Sequence, residues 1–112
     1  MKSTVFLIII LFCNVVFAEM QSVEVLDREF QSVHVVSEKN DLVKFQSIWK
    51  NKSEVTPQMP VKWSEGYKID ISGGESSGRW LYYEGWLKSL SMKSTNIYRI
   101  QDYKQFELLI GL

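Results

Sequence analysis

Four segments of the chain have the residue pattern of strands: 30–36, 67–72, 79–86 and 96–100. Apolar and polar residues alternate in the first two, and β-branched or aromatic residues are frequent in all four. A period of two residues is typical of a strand with one buried face. The pattern therefore predicts a sheet of about four strands. Residues 19–29 are left open as a further short strand or a loose arm, and residues 87–92 as strand or loop.

Two other segments repeat apolar residues at helical spacing. Asn40 is the expected N-cap of the first helix, with Asp41 in its first turn. Asp102 is the expected N-cap of the second, where Gln105 would complete a capping box and Gly111 would end the helix. The apolar residues at helical spacing are Leu42, Phe45, Ile48 and Trp49 in the first helix, and Tyr103, Phe106, Leu109 and Ile110 in the second.

The glycine-rich segment 73–78 is the strongest turn signal and predicts a hairpin between two of the strands. If this segment is the whole connection, Ser72 lies opposite Arg79, and the two strands pair outward from there. The further pairs are then Ile71 with Trp80, Ile69 with Tyr82, and Tyr67 with Glu84. One face collects the apolar side chains and is the predicted core face: Tyr67, Ile69, Ile71, Trp80 and Tyr82.

The other face of this hairpin mixes charged and apolar side chains: Lys68, Asp70, Arg79, Leu81 and Tyr83. A helix is only about 10 Å wide, so two short helices cannot cover both sides of a four-stranded sheet. We therefore expect this face to be open in part and predict that it binds a partner. The alternative is that the N-terminal arm or the proline-containing loop, 53–60, covers it.

The order strand, helix, hairpin, strand, helix predicts one α+β domain over residues 19–112. Its expected architecture is a small, mainly antiparallel sheet of about four strands with two helices packed on one face. No repeat and no linker to a second domain is evident in the sequence.

Residues 1–18 have the features of a cleaved signal peptide. Lys2 precedes an apolar run, 5–13, and Val16 and Ala18 suit the positions before a cleavage site. The run is shorter than the roughly 20 apolar residues of a spanning helix, so contact with a membrane is expected only if the peptide stays uncleaved. A lipoprotein anchored through Cys13 is the alternative. We expect export to the periplasm, with the extracellular medium as the second compartment.

Composition narrows the classes of function. The chain has 112 residues, 46% of them hydrophobic, with 13 basic and 13 acidic side chains. These values indicate a folded domain, and the zero net charge argues against a nucleic-acid binder. Cleavage would remove the one cysteine, Cys13, which leaves no disulfide or thiol chemistry and a core that depends on large aromatic residues.

Few residues suit catalysis. His34 is the one histidine, so a histidine-based hydrolase would have to use it. Asp70, Glu75 and Glu84 are the candidate carboxylates for glycoside hydrolysis. The segment 73–78 lacks the lysine of a phosphate-binding loop and leads into a strand. The sequence therefore predicts no catalytic residue, no metal site and no cofactor.

Three short segments of the C-terminal third carry a resemblance: Gly-Arg-Trp-Leu-Tyr at 78–82, Ile-Tyr-Arg-Ile at 97–100 and Phe-Glu-Leu-Leu-Ile-Gly at 106–111. Together they resemble the C-terminal ends of small uncharacterised exported proteins of Gram-negative bacteria. The resemblance implies a bacterial, periplasmic protein and implies no activity.

The sequence as a whole predicts an exported, non-catalytic protein that binds another protein, as an inhibitor or accessory protein does. It predicts no nucleic-acid partner and leaves the oligomeric state open. One alternative is a small hydrolase that uses His34 or carboxylates. The other is a binder of carbohydrate or small ligands that uses exposed aromatic residues such as Trp63 and Trp86.

Overall fold

Seven strands form one antiparallel sheet in the computed structural model, which describes residues 19–91 and 96–112. The predicted signal peptide, 1–18, lies outside the described residues. The strands are β1 (Ser22–Leu26), β2 (Ser32–Val36), β3 (Ser53–Glu54), β4 (Tyr67–Ser72), β5 (Gly78–Tyr83), β6 (Trp86–Ser89) and β7 (Ile97–Arg99). Their spatial order is β2-β1-β4-β5-β6-β7-β3. The helices are α1 (Lys39–Lys50) and α2 (Tyr103–Leu109), and a 3₁₀ turn spans Trp63–Glu65.

The prediction of about four strands was wrong. The segment 79–86 is two strands, because Glu84 and Gly85 form a tight turn with φ values of 42° and 90° between β5 and β6. Two successive positive φ values are typical of a two-residue hairpin turn. Residues 19–29 contain β1, which lies between β2 and β4, and the predicted loop 53–60 contains the two-residue β3.

The predicted hairpin register was also wrong, by two positions. Ile69 pairs with Trp80, and Tyr67 with Tyr82, because Gly78 belongs to β5 and pairs with Ile71. A shift of two residues keeps every side chain on its own face, whereas a shift of one would exchange the faces. The apolar and mixed faces therefore hold the same residues in the structure as in the predicted register.

Both helices pack on the apolar face of the sheet through aromatic rings. Phe45 of α1 lies 5.4 Å from Phe106 of α2 between ring centroids, and Trp49 meets Trp80 edge to face at 4.8 Å. Phe106 also lies 5.4 Å from Tyr82. Edge-to-face and tilted rings at these separations add to the stabilisation from buried area. This aromatic cluster joins the helices to β5 and forms the centre of the core.

The helix ends differ from the predicted caps. Glu38, not Asn40, is the N-cap residue of α1, and no side chain caps that end. Asp102 is the N-cap residue of α2, but its side chain makes no capping hydrogen bond, so the predicted capping box does not form. Tertiary packing of Phe45, Trp49 and Phe106 therefore contributes more to these helices than capping does.

Candidate binding face

The side of the sheet opposite the helices, which we call the open face, carries the five predicted site residues: Lys68, Asp70, Arg79, Leu81 and Tyr83. All five are half-buried, while Ile69, Trp80 and Tyr82 on the same strands are buried. Lys68 pairs with Leu81 across β4 and β5, and Asp70 pairs with Arg79. The structure thus brings the predicted residues together on adjacent strands.

Asp70 and Arg79 form a two-pronged ion pair in the middle of the open face. Arg79 donates hydrogen bonds from Nε and from Nη2 to the two carboxylate oxygens of Asp70, each at 2.7 Å. The hydrogen bond to Asp70 raises the pKa of Arg79 above its usual value, and the charge of Glu24 adds to this. The pair fixes both side chains in one geometry and neutralises the charge of Arg79.

The open face continues over β6 and β7. Lys88 lies between Leu81 and Ile97 in the strand pairing, and Trp86 pairs with Arg99. The guanidinium carbon of Arg99 lies 4.5 Å from the centroid of the Trp86 ring, which is within cation–π distance. The predicted site included no residue of β6 or β7, because the segment 79–86 was predicted to be a single strand.

Phe30 extends the open face at its other end. Its side chain is 57% exposed, and the Lys68 Nζ lies 4.2 Å from the ring centroid, with the Arg79 guanidinium carbon at 5.4 Å. The backbone of Phe30 has a φ of 63°, a left-handed conformation in which a bulky residue is strained by about 1–3 kcal/mol. The exposed ring is therefore held over the sheet at an energetic cost.

The turn between β1 and β2 fixes Phe30 in this conformation. The Asp27 carboxylate accepts hydrogen bonds from the backbone N–H groups of Glu29 at 2.8 Å and Gln31 at 3.0 Å. The Phe30 N–H donates to the Asp27 carbonyl at 3.1 Å. Sequence reasoning missed Phe30 as a site residue. The polar run before it, led by an aspartate, was the available signal, because aspartate favours turns through such bonds.

The candidate catalytic residues lie on separate parts of the fold: His34 on β2, Asp70 on β4, Glu75 in the loop before β5 and Glu84 in the turn after it. His34 lies on the exposed edge strand β2 opposite Val25, and its ring lies against Gly111, where a Cβ would come within 2.7 Å. Asp70 pairs with Arg79 near the start of β5, whereas Glu84 lies in the turn beyond its end, so roughly 13 Å of strand, at about 3.3 Å per residue, separates the two backbone positions. Glycosidase carboxylates are about 5–10 Å apart. Within residues 19–91 and 96–112, no group of three or more His, Cys, Asp or Glu side chains could hold a metal ion.

The two candidate ligand-binding tryptophans lie on different elements. Trp86 is on the open face beneath Arg99, whereas Trp63 begins the 3₁₀ turn before β4. Where the 3₁₀ turn meets the ends of β4 and β5, a cleft of about 410 Å³ is lined by Tyr67, Tyr83 and Tyr103, among others. Aromatic rings in a cleft suit stacking against a flat ligand.

Lys52 is a cation on the core side of the sheet. Its Nζ lies 4.7 Å from the Trp49 ring centroid, 5.2 Å from Tyr98 and 5.5 Å from Trp80. Desolvation lowers the pKa of Lys52 below its usual value, while the negative faces of the three rings favour the ammonium form. This lysine contacts the aromatic cluster and is not part of the open face.

Comparisons with protein-family profiles, with curated protein sequences and with solved structures find no match to this chain. The resemblance of its C-terminal segments to exported proteins of Gram-negative bacteria therefore stays a prediction. No helix in the described part of the chain is long and apolar enough to cross a membrane.

Proposed function

We propose that residues 19–112 form an exported, non-catalytic domain that binds another protein through the open face. One observation carries the proposal: Phe30 is exposed on this face while its backbone is strained. A strained, exposed aromatic side chain gives little stability to the domain alone. Such strain concentrates at ligand-binding sites, and exposed aromatic anchors are typical of protein interfaces.

The surroundings of Phe30 support the same function. Leu81 and Tyr83 offer apolar surface between charged groups, and two hydrogen bonds hold the Asp70 and Arg79 side chains together beside them. Apolar area with polar groups around it, on strands that do not need to rearrange, is the usual composition of a protein–protein interface. The separation of Asp70 from Glu84 along β5, and the position of His34 on the edge strand β2, disfavour the hydrolase alternative.

The test compares two double variants of the tagged chain in the cells that produce it. Leu81→Ser with Tyr83→Ala alters the open face, and Val43→Ser with Leu108→Ala alters exposed residues of the helix layer. We expect the first to reduce recovery of the co-purifying protein at least tenfold, and the second to leave it unchanged. Circular dichroism checks that both variants fold. If the open-face variant folds and recovers as much of the co-purifying protein as the wild type does, the proposal is contradicted.

Export is proposed on the sequence of residues 1–18. N-terminal sequencing of the protein recovered from cells tests it directly, because cleavage after Ala18 makes Glu19 the first residue. A chain that retains Met1 or Lys2 and stays in the cytoplasm would contradict it. A lipid-modified N-terminus at Cys13 would instead support the lipoprotein alternative.

The cleft beside Tyr83 favours one second candidate, a binder of carbohydrate or another small ligand. The cleft is lined by three tyrosines and two glutamates: Tyr67, Tyr83, Tyr103, Glu65 and Glu84. A glycan panel monitored by tryptophan fluorescence tests this. We expect a saturable response that Tyr103→Ala abolishes if the cleft binds sugar, and a flat signal across the panel would exclude it.

A further inference from the structure

Three of the four basic side chains of the open face lie against aromatic or apolar groups, and the fourth, Arg79, is paired with Asp70. Lys68 lies over Phe30 and Arg99 over Trp86, while Lys88 stands between Leu81 and Ile97. In the part of the chain that the structure describes, the ion pairs are Lys62–Glu65 and Asp70–Arg79. Lys68, Lys88 and Arg99 therefore carry positive charge that no carboxylate of these residues neutralises.

This concentration of charge contrasts with the neutral chain. The charged residues of the open face are Glu24, Lys68, Asp70, Arg79, Lys88 and Arg99. Arg79 is paired with Asp70, so three unpaired cations remain against Glu24. A face with this balance attracts an acidic partner and speeds its association.

Aromatic rings give two of these cations, Lys68 and Arg99, fixed positions. A lysine or arginine held over a ring loses less side-chain freedom when it meets a carboxylate than a freely rotating one does. These rings, and Leu81 and Ile97 beside Lys88, offer apolar contact to an acidic segment that contains an aromatic or aliphatic residue. Phe30 contacts Lys68 of β4, and Trp86 contacts Arg99 of β7, so a partner that meets both rings must span β4 to β7.

We propose that the partner presents an acidic protein surface, in which carboxylates bind Lys68, Lys88 and Arg99 and an apolar side chain packs on Phe30. This inference rests on the proposed function, because it names the chemistry of the partner for the same face. A protein, not a nucleic acid, is favoured because Glu24 and the neutral Asp70–Arg79 pair interrupt the cations, so the face offers no continuous basic track for a run of phosphates.

Charge reversal tests the inference with a matched control. Lys68→Glu with Arg99→Glu changes the open face, and Lys44→Glu with Lys104→Glu makes the same charge change on exposed residues of the helices. We expect at least a tenfold loss of the co-purifying protein for the first pair and less than a twofold change for the second. Equal losses for both pairs, or no loss for the first, would overturn it.

Defined polyanions identify the class of partner. An acidic Glu/Tyr copolymer, polyuridylate, heparin and vesicles of phosphatidylglycerol are each titrated while the fluorescence of Trp86 and the other tryptophans is followed. We expect a saturable response to the acidic copolymer that the open-face reversal removes and added salt weakens. Tighter binding of any of the other three would overturn the assignment to a protein. If Leu81→Ser with Tyr83→Ala abolishes recovery but the reversal does not, this inference fails and the proposed function stands.

Discussion

The two faces of the β4–β5 hairpin are made by alternate residues of the same strands but differ in burial, charge and packing. Trp80 and Tyr82 are buried among aromatic rings of the helices, whereas Arg79, Leu81 and Tyr83 face solvent in part. The core face contains what a small sheet needs for stability. The open face contains a strained backbone at Phe30, cations that form no ion pair among the described residues and partly exposed apolar side chains. This difference supports the proposal that the open face binds a partner.

The largest expected effect is a difference in stability between substitutions at two neighbouring residues of β5, Trp80 and Leu81. Trp80→Ala should lower the free energy of unfolding by about 3–5 kcal/mol, because it leaves a cavity in the aromatic cluster. Leu81→Ala should lower it by about 1 kcal/mol, because that side chain is only half-buried. Urea unfolding measures both. Similar losses at the two positions would mean that the open face is a second core surface.

The next largest effect is the difference in stability loss between removing the hydroxyl of Tyr82 and removing that of Tyr83. The Tyr82 hydroxyl donates a hydrogen bond to Glu107 at 2.9 Å on the core side. Tyr82→Phe removes this bond to a charged group, and we expect a loss of about 1.5 kcal/mol at neutral pH. Tyr83→Phe should change stability by less than about 0.5 kcal/mol. Chemical denaturation of the two variants measures the contrast, and a larger loss for Tyr83→Phe would contradict it.

Alkaline pH should lower the stability of the fold through Tyr82. Burial, and then the hydrogen bond to Glu107, raise the pKa of Tyr82 above its usual value. The unfolded chain therefore loses this proton at a lower pH than the folded one does. The stabilisation is fully present below the unfolded pKa of about 10 and is lost as pH rises above it. Urea midpoints from pH 8 upward should fall more steeply for the wild type than for Tyr82→Phe, and parallel slopes would contradict this.

A smaller effect is expected at the ion pair of the open face. Asp70→Asn removes one of the two hydrogen bonds from Arg79, because an amide nitrogen cannot accept, and it weakens the other. The Asp70 and Arg79 side chains are, however, 31% and 39% exposed. We expect a loss of about 0.5–1 kcal/mol, which shrinks in high salt. Thermal unfolding at two salt concentrations measures it. A salt-independent loss of several kcal/mol would show that the pair behaves as a buried one.

The smallest effect has the opposite sign. Phe30→Asn places a residue that tolerates the left-handed conformation at the strained position. We expect a gain of about 0.5 kcal/mol in stability, because relief of strain exceeds the loss of cation–π contact. Partner binding should fall in the same variant. Denaturant unfolding alongside co-purification measures both, and a loss of stability would show that Phe30 serves the fold.

The parts of the fold that could be predicted are those set by periodicity. The residues on each face of the hairpin were predicted correctly although the register was wrong, because a two-residue shift keeps each side chain on its face. The number of strands could not be predicted, because β3 has two residues and the turn at Glu84–Gly85 lies inside an aromatic-rich run. The role of Phe30 was hidden because its conformation depends on hydrogen bonds to Asp27, and phenylalanine is not a turn-forming residue.

The most direct test of the central claim is photocrosslinking from single positions in living cells. A photoreactive phenylalanine replaces Tyr83 on the open face in one strain and Leu108, 78% exposed on α2, in another. We expect one defined protein adduct from position 83, absent when Phe30 is changed to Asn, and none from position 108. A defined adduct from position 108 with none from position 83 would contradict the account, because the helix layer would then be the binding surface.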